Sequence, residues 1–175
     1  MVSDRHIIHW NHTNILKYEN RPENFKDLII ENCKNMISSE DDIYHLGDVI
    51  FKQKAELKEI LSIIPGTKHM CKGNHDHEKP IWYISKGFKT CQKYIIIDNI
   101  LLSHHPLDID LIENETGIKI DFNIHGHFHR MTREDETRTK IGYPFYSDRH
   151  INLSIEEMEY KPILINEFLN LKGKI

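Results

Sequence analysis

Five short clusters of metal-ligating side chains stand out in this chain of 175 residues. Each supplies carboxylate, carboxamide or imidazole groups, and most stand beside a glycine or after an apolar run typical of a strand. In chain order they are Asp4-Arg5-His6, Gly47-Asp48, Gly73-Asn74-His75-Asp76, Ser103-His104-His105 and Gly126-His127-Phe128-His129. Oxygen and imidazole ligands without thiolates favour first-row divalent ions such as Mn, Fe, Ni or Zn. The clusters therefore indicate a metal site.

The number of ligands favours two ions rather than one. Leaving His75 and Asp76 aside and counting one of the adjacent pair His104 and His105, the clusters offer seven candidate ligands. A tetrahedral zinc ion takes four protein ligands or fewer. Seven suit two ions about 3.5–4 Å apart, a pair that activates a shared water for in-line displacement at phosphorus. Asp48, a lone carboxylate after a strand-like run and a glycine, suits the shared position.

The composition is that of an ordinary globular protein, with 39% hydrophobic and 29% charged residues. The length predicts a single domain over 1–175 with a buried core. No apolar run is long enough to cross a membrane, and no signal-peptide pattern opens the chain. Three cysteines without a C-x-x-C pair are typical of reduced thiols, so we expect a cytoplasmic protein. The formal charge of −4 argues against a broad surface for long duplex DNA, but not against a nucleotide or a nucleic-acid end.

Apolar spacing predicts alternating helices and strands. It predicts helices over 23–38, 53–64 and 78–86, and strands over 43–46, 67–71, 93–97, 100–104, 120–124, 150–155 and 160–166. A short helix is expected near the C-terminus, 131–146 is expected to be loop, and 107–117 stays open, with Gly117 suited to closing a short helix. Asp48, Asn74, His104 and His127 each follow a predicted strand. In α/β folds, binding sites assemble at that edge.

The motif order resembles the calcineurin-like metallophosphoesterase family. The matching motifs are D-x-H, G-D, G-N-H-D, S-H-x-P and G-H-x-H, from residue 3 to residue 129. G-N-H-D together with G-H-x-H is the specific part, and the stretch from His12 to Pro22 is similar to small bacterial and phage-type members. The stretch from His150 to Pro162 resembles the closing strands of the family. The resemblance implies an α/β fold of four layers, in which two mixed sheets are flanked by helices.

The resemblance also implies roles for individual residues. One of two divalent ions would be held by Asp4, His6, Asp48 and His129, and the other by Asp48, Asn74, His104 and His127. A bridging hydroxide would attack phosphorus. His75 would stabilise the transition state or protonate the leaving oxygen, and Asp76 would orient His75. The family pattern selects His104 over His105, which is expected to point away.

The first cluster departs from the family pattern. The resemblance places a strand before Asp4, where only three residues stand. The pair Asp4 and His6 has a duplicate at Asp148 and His150, which we interpret as a loop that leads into a strand. The segment after His6 repeats an H-x-N element, which resembles a three-residue insertion and leaves the position of the second histidine of this loop open.

We expect a metal-dependent phosphoric ester hydrolase whose partner is a small phosphorylated substrate, either a monoester or a diester. Arg5, His12 and Arg130 are candidate contacts for the substrate phosphate, although solvated loop positions explain them equally well. Two alternatives stay open. One is a scaffold of the same fold with weak catalysis, which the complete ligand set disfavours. The other is a nuclease acting on nucleic-acid ends, which the acidic balance disfavours.

Overall fold

Two mixed β-sheets form the centre of the computed structural model, which describes residues 4–9, 21–49, 54–128 and 142–175. The strands are β1 (Arg5–Ile8), β2 (Asp42–His45), β3 (Thr67–Cys71), β4 (Thr90–Gln92), β5 (Tyr94–Ile97), β6 (Ile100–Ser103), β7 (Phe122–His125), β8 (His150–Asn152) and β9 (Ile163–Leu164). The helices within these ranges are α1 (Phe25–Met36), α2 (Leu57–Ile63), α3 (Pro80–Lys86), α4 (Ile109–Thr116) and α5 (Ile165–Leu171). None of these helices is long and apolar enough to cross a membrane.

Most neighbouring strands run parallel. The first sheet has the order β4-β3-β2-β1-β9, with β1 to β4 parallel and β9 antiparallel to β1. The second sheet has the order β5-β6-β7-β8, with β6 to β8 parallel and β5 antiparallel to β6. In each sheet, the carboxyl ends of the parallel strands share one edge, and the loops that leave them are gathered there.

Three apolar clusters give the four layers of the expected fold. Ile7 and Ile8 illustrate the division, because neighbouring side chains of a strand point to opposite faces. Ile7 belongs to the cluster between the two sheets, together with Leu102 and Ile124 of the second sheet. Ile8 belongs to the cluster under α1, α2 and α3. A third cluster packs α4 on the outer face of the second sheet. The predicted α/β/β/α sandwich is therefore confirmed.

The elements differ from the sequence prediction in several places. The predicted strand over 160–166 is reduced to β9, and α5 begins directly after it. β1 follows Asp4 instead of preceding it, because the buried pair Ile7 and Ile8 forms the strand interior. The short strand β4 has no counterpart in the prediction, since only the central residue of its three is buried. In the open segment 107–117, α4 forms and ends at Gly117 with φ of 71°. The predicted loop over 131–146 lies mostly outside the described residues.

A buried ion pair joins the segment before α1 to the segment after β8. Arg21 Nε donates to Glu156 Oε1 at 2.6 Å, and the guanidinium lies 5.2 Å from the centre of the Phe25 ring. Ser154 Oγ donates to the other carboxylate oxygen at 2.6 Å. Burial raises the pKa of Glu156, but the charge of Arg21 and the hydrogen bonds outweigh it, so the net shift is downward. Arg21, which is near the predicted phosphate contacts in sequence, therefore has a structural role.

The variant Glu156→Gln is expected to lower the free energy of unfolding by about 3–5 kcal/mol, because it takes the carboxylate away from a buried guanidinium. Glu157→Gln is the matched control, since Glu157 pairs with Lys172 at a half-exposed position. It should cost less than about 1 kcal/mol. Urea denaturation at neutral pH measures both effects. Equal losses in the two variants would contradict the assigned role.

The same pair predicts a pH dependence. A carboxyl group with a lowered pKa stabilises the folded state above its ordinary pKa, and this contribution is lost as pH falls through the lowered value. The difference in unfolding free energy between wild type and Glu156→Gln should therefore shrink in acid. A constant difference between neutral pH and the acid limit of folding would exclude this linkage.

Candidate metal centre

Loops from both sheets bring four polar side chains together. His104, after β6, is the central one, and its Nε2 lies 2.9 Å from Asn74 Oδ1 and 3.1 Å from His127 Nδ1. The same nitrogen lies 3.3 Å from Asp48 Oδ2. Asp48 follows β2, Asn74 follows β3 and His127 follows β7. All four predicted ligands of one ion therefore meet at one edge of the sandwich.

The protonation of His104 follows from its second ring nitrogen. His104 Nδ1 lies 2.8 Å from the carbonyl oxygen of Leu46, which can only accept a hydrogen bond. Nδ1 therefore carries the proton, and in the neutral ring Nε2 presents a lone pair. That lone pair faces the oxygens of Asp48 and Asn74, which are also acceptors.

A divalent cation bound between these groups would resolve this convergence of lone pairs. The separations of 2.9–3.3 Å around His104 Nε2 match those between ligand atoms that share one ion. With metal–ligand bonds of about 2.0–2.2 Å, such atoms lie about 2.8–3.1 Å apart at right angles and about 3.3–3.6 Å apart at the tetrahedral angle. The donor set of one carboxylate, one amide oxygen and two imidazoles suits Mn, Fe, Ni or Zn. The residues present therefore fit a divalent transition-metal ion.

Asp48 is held in a conformation that favours glycine. Its φ is 52°, and a left-handed residue with a side chain costs about 1–2 kcal/mol. Asp48 is only 5% exposed, and its Oδ1 accepts from the amide of His75 at 2.9 Å, while Oδ2 faces His104. Burial raises the pKa of Asp48. With no ion bound and His104 protonated on both nitrogens, the hydrogen bond and charge of that ring, together with the His75 amide, outweigh burial, so the net shift is downward. Strain of this kind is typical of functional positions.

Asp76 ties two ligand loops together. Its Oδ2 accepts from the amides of Asp48 at 2.7 Å and Gly73 at 2.8 Å, and its Oδ1 accepts from Val49 at 3.1 Å. Burial raises the pKa of Asp76 and the charge of Asp48 adds to this. The amide hydrogen bonds lower the pKa but do not outweigh these effects, so the net shift is upward. These contacts give Asp76 a second role beside the orientation of His75, which stays a prediction. It fixes the loop that carries Asp48 against the loop that carries Asn74 and His75.

Gly73 lets these two loops approach each other. A Cβ at this position would lie 2.1 Å from Asp48 Oδ1 and 2.4 Å from Asp48 N. No side chain can be accommodated at that distance from backbone. The glycine of the G-N-H-D motif therefore permits the close contact between the Asp48 carboxylate and the loop after β3.

The loop after β6 is fixed from the second sheet. Asn123 of β7 is fully buried, and its Nδ2 donates to Leu101 O at 3.0 Å and to Ser103 Oγ at 2.8 Å. Its Oδ1 accepts from the amide of Leu107 at 2.9 Å. The amide of His127 donates to the carbonyl of His104 at 2.9 Å. These bonds set the position of both histidine ligands.

His9 is the site residue that sequence reasoning did not select. It follows β1, is buried, and its ring centre lies 5.5 Å from that of His104. A Cβ at Gly126 would lie 2.6 Å from the His9 ring, so this glycine makes room for it. The signal in the sequence was its position directly after the apolar pair Ile7 and Ile8, which is the position that follows a strand.

The structure separates Asp4 and His6 from Asp48. In the parallel pairing of β1 and β2, Arg5 is opposite Asp42 and Ile8 is opposite His45, so Asp4 lies at the amino end of the sheet. Four residues of strand span about 13 Å. The predicted shell of Asp4, His6, Asp48 and His129 is therefore not assembled among the described residues. The reason is that β1 follows Asp4 in the chain, so Asp4 lies at the amino end of the strand whereas Asp48 lies beyond the carboxyl end of β2.

Of the other predicted site residues, Arg5 is described and does not join the centre. Arg5 lies at the same amino end as Asp4 and pairs with exposed Asp98 at 2.5 Å. His12, Arg130 and the predicted ligand His129 lie outside the described residues. The duplicate His150 is buried, with Nδ1 accepting from Ser147 N at 3.0 Å and Nε2 bonded to Leu107 O at 2.9 Å. Both of its ring nitrogens are thus engaged away from the centre.

His105 lies closer to the centre than expected. Its ring centre is 3.9 Å from that of His127, and His104, His105 and His127 offer nitrogens within 4.8 Å of one another. The hydroxyl of Tyr143 lies 3.0 Å from His105 Nδ1. Burial, and then the charge of His104 in its protonated state, lower the pKa of His105 to about 4, so it is neutral at physiological pH.

Comparison with known proteins gives a family but no activity. No family model matches the chain. The uncharacterized protein MJ1445 of Methanocaldococcus jannaschii is 31% identical over 192 residues, an alignment that covers 100% of this chain and 92% of MJ1445. The chain belongs to the same family as MJ1445.

Two solved structures are similar to this chain. The protein of unknown function AQ665 from Aquifex aeolicus has a TM-score of 0.72 and 29% identity, covering 97% of this chain and 100% of its own. An archaeal phosphodiesterase has a TM-score of 0.49 and 16% identity, covering 93% of this chain and 99% of its own. The likeness to AQ665 extends over the whole sandwich, so it is not confined to the loops that carry the metal centre.

Two carboxylate variants separate metal binding from loop fixation. Asp76→Asn is expected to lower the free energy of unfolding by about 2–3 kcal/mol, because three buried amides lose a charged acceptor. Asp48→Asn should cost less than about 1 kcal/mol without metal, since asparagine tolerates a positive φ. It should, however, abolish the stabilisation that added Mn²⁺ gives to wild type. Urea denaturation with EDTA and with Mn²⁺ measures both effects. Equal losses without metal would contradict the two roles.

Proposed function

We propose that this chain is a metal-dependent phosphoric ester hydrolase. The observation that supports it most strongly is the convergence of Asp48, Asn74, His104 and His127 on one point, where the oxygens of Asp48 and Asn74 face the Nε2 lone pair of His104. When bound there, a divalent ion supplies a Lewis acid that polarises a phosphoryl oxygen and lowers the pKa of water. The protein contributes a fixed ligand geometry through Asp76 and Asn123.

His75 is the proposed general acid. Its backbone amide donates to Asp48 Oδ1 at 2.9 Å, which anchors the residue directly beside a metal ligand. Its side chain is half-buried, between exposed Asn74 and buried Asp76. Imidazole is the side chain used most often for proton transfer in enzymes. We infer that the ring holds a proton for the leaving oxygen, and that Asp76 supports it by fixing the loop.

A second ion is also part of the proposal. On the β1 side of Asp48, the described residues supply His9, and the predicted ligand His129 follows His127 by two positions. We propose that His9 and His129, with the shared carboxylate of Asp48, hold this second ion. Asp4 and His6 have no part in it, because they lie at the other end of β1.

The substrate we propose is a small phosphorylated molecule, either a monoester or a diester. Asn74 is exposed and the side chains of His75 and His127 are half-buried, so the centre is open to solvent. Aromatic rings extend from it, with Phe128 against His127 at 5.3 Å and Tyr143 against Phe128 at 5.6 Å between ring centres.

The three free cysteines support the expected cytoplasmic location.

One observation favours a second candidate, a metal-binding scaffold with weak catalysis. β1 ends in Ile7 and Ile8 and brings no carboxylate to the metal edge. The second ion would then have a poorer ligand set than the first. A chain that holds one ion firmly and the other loosely would bind metal and turn over slowly.

The test compares His75→Ala with the exposed neighbour variant His77→Ala on chromogenic monoesters and diesters and on a labelled oligonucleotide. With protein loaded with Mn²⁺, Fe²⁺, Ni²⁺ or Zn²⁺, His75→Ala should lower kcat about 10²–10⁴-fold at unchanged metal content. His77→Ala should match wild type, and His127→Ala should lose both metal and activity.

The outcomes divide the candidates. Wild type that is folded and metal-loaded but hydrolyses none of the substrates supports the scaffold and contradicts the hydrolase. Equal rates for His75→Ala and wild type would contradict the role of His75. Cleavage of the oligonucleotide alone would identify a nuclease.

A further inference from the structure

A second group of ligand atoms lies at the amino end of β1. We propose that Asp4, His6 and Asp41 form a separate site for one divalent transition-metal ion. Among the described residues, this is one of two groups whose histidine and carboxylate ligand atoms all lie within 4.8 Å of one another. The proposal is independent of the hydrolase, because the two sites lie at opposite ends of β1.

The separation between His6 and Asp41 fits a shared ion better than a hydrogen bond. His6 Nε2 lies 3.5 Å from Asp41 Oδ2. A hydrogen bond from nitrogen to oxygen is ordinarily about 2.7–3.2 Å long. Two ligands of a tetrahedral ion with bonds of about 2.0–2.2 Å lie about 3.3–3.6 Å apart.

The state of the His6 ring is the independent observation. His6 is only 4% exposed, and neither of its ring nitrogens has a hydrogen-bond partner. Buried polar groups are almost always bonded, and an exception calls for an explanation. Buried His150, by contrast, has both ring nitrogens engaged. An ion on Nε2 would supply the partner that His6 lacks and would use the neutral ring.

Asp41 is already held in place to act as a ligand. Its Oδ2 accepts from the amide of Ser38 at 2.7 Å, and its Oδ1 accepts from the amide of Asp4 at 3.3 Å. A carboxylate has about four lone-pair positions, so both oxygens keep capacity for an ion. The bond to Asp4 also brings the start of the described chain against the start of β2.

The chemistry of the group defines the ion. Two carboxylates and one neutral imidazole carry a formal charge of about −2, which a divalent cation neutralises. An imidazole among oxygens favours Zn²⁺, Mn²⁺ or Co²⁺ over Ca²⁺ and Mg²⁺. Asp4 is exposed, so the ion can enter from solvent and retain water. It would link Asp4 and β1 to the residue that precedes β2.

The experiment uses the full chain with Asp48→Asn, which weakens the first centre. Bound Zn²⁺ is counted by equilibrium dialysis, and the visible spectrum of Co²⁺ reports its ligands. Adding His6→Gln is expected to remove one ion per chain, to weaken Co²⁺ binding at least tenfold and to abolish the corresponding spectrum. Adding Asp4→Asn instead leaves the core packing unchanged, because Asp4 is exposed. This variant should also weaken Co²⁺ binding.

The matched control is His69→Gln in β3. His69 is a half-buried histidine with a carboxylate partner, Asp42 at 3.2 Å, and a hydroxyl partner, Thr90 at 2.9 Å. It should leave the ion count and the Co²⁺ spectrum of the parent unchanged. Asp4→Asn that binds Co²⁺ as tightly as the parent overturns the proposal, as does folded His6→Gln with an unchanged ion count. With Asp48 intact, His6→Gln should hydrolyse esters at the rate of wild type, because the two sites lie at opposite ends of β1.

Discussion

The candidate metal centre depends on one electrostatic constraint, which is that acceptor atoms face one another at the edge between the two sheets. The Leu46 carbonyl fixes the tautomer of neutral His104, and this turns the lone pair of Nε2 toward the oxygens of Asp48 and Asn74. These groups cannot satisfy one another by hydrogen bonding in that state. A positive charge between them would make the arrangement favourable. Hydrogen bonds within the surrounding loops hold the four side chains in this arrangement.

The surrounding structure supplies the rigidity that such an arrangement requires. Asp76 fixes the first sheet's two ligand loops through three amide hydrogen bonds, and buried Asn123 does the same for the second sheet. Asp48 keeps a left-handed conformation between them. Ligands placed by buried hydrogen bonds lose little freedom when an ion binds. The four-layer packing therefore contributes to the candidate metal centre by placing the ligand-bearing edges of the two sheets side by side.

The sequence predicts most of the framework because its helices and buried strands have regular apolar spacing. It also predicts Asp48, Asn74, His104 and His127 as a group, since each lies within three residues of the end of a strand. It misplaces Asp4 and His6 because D-x-H is a short local pattern, whereas the ends of β1 depend on burial of Ile7 and Ile8 between layers. His9 becomes visible as a site residue only once that strand is placed.

The role of Asp76 illustrates what sequence cannot provide. A carboxylate beside His75 is naturally interpreted as its partner, yet the carboxylate accepts from amides of two different loops. The contact with Asp48 joins residues 28 positions apart and exists only in the folded chain. The duplicate pair Asp148 and His150 differs from the first cluster in sequence because it precedes a predicted strand, which favours a structural role over metal binding. The hydrogen bonds of both His150 ring nitrogens agree with that interpretation.

Anomalous diffraction from crystals of the full chain grown with Mn²⁺ tests the central claim most directly. An anomalous peak is expected within about 2.0–2.3 Å of Asp48 Oδ2, Asn74 Oδ1, His104 Nε2 and His127 Nδ1. Crystals that contain Mn²⁺ but show no peak among these four atoms would contradict the claim that their convergence is a metal centre.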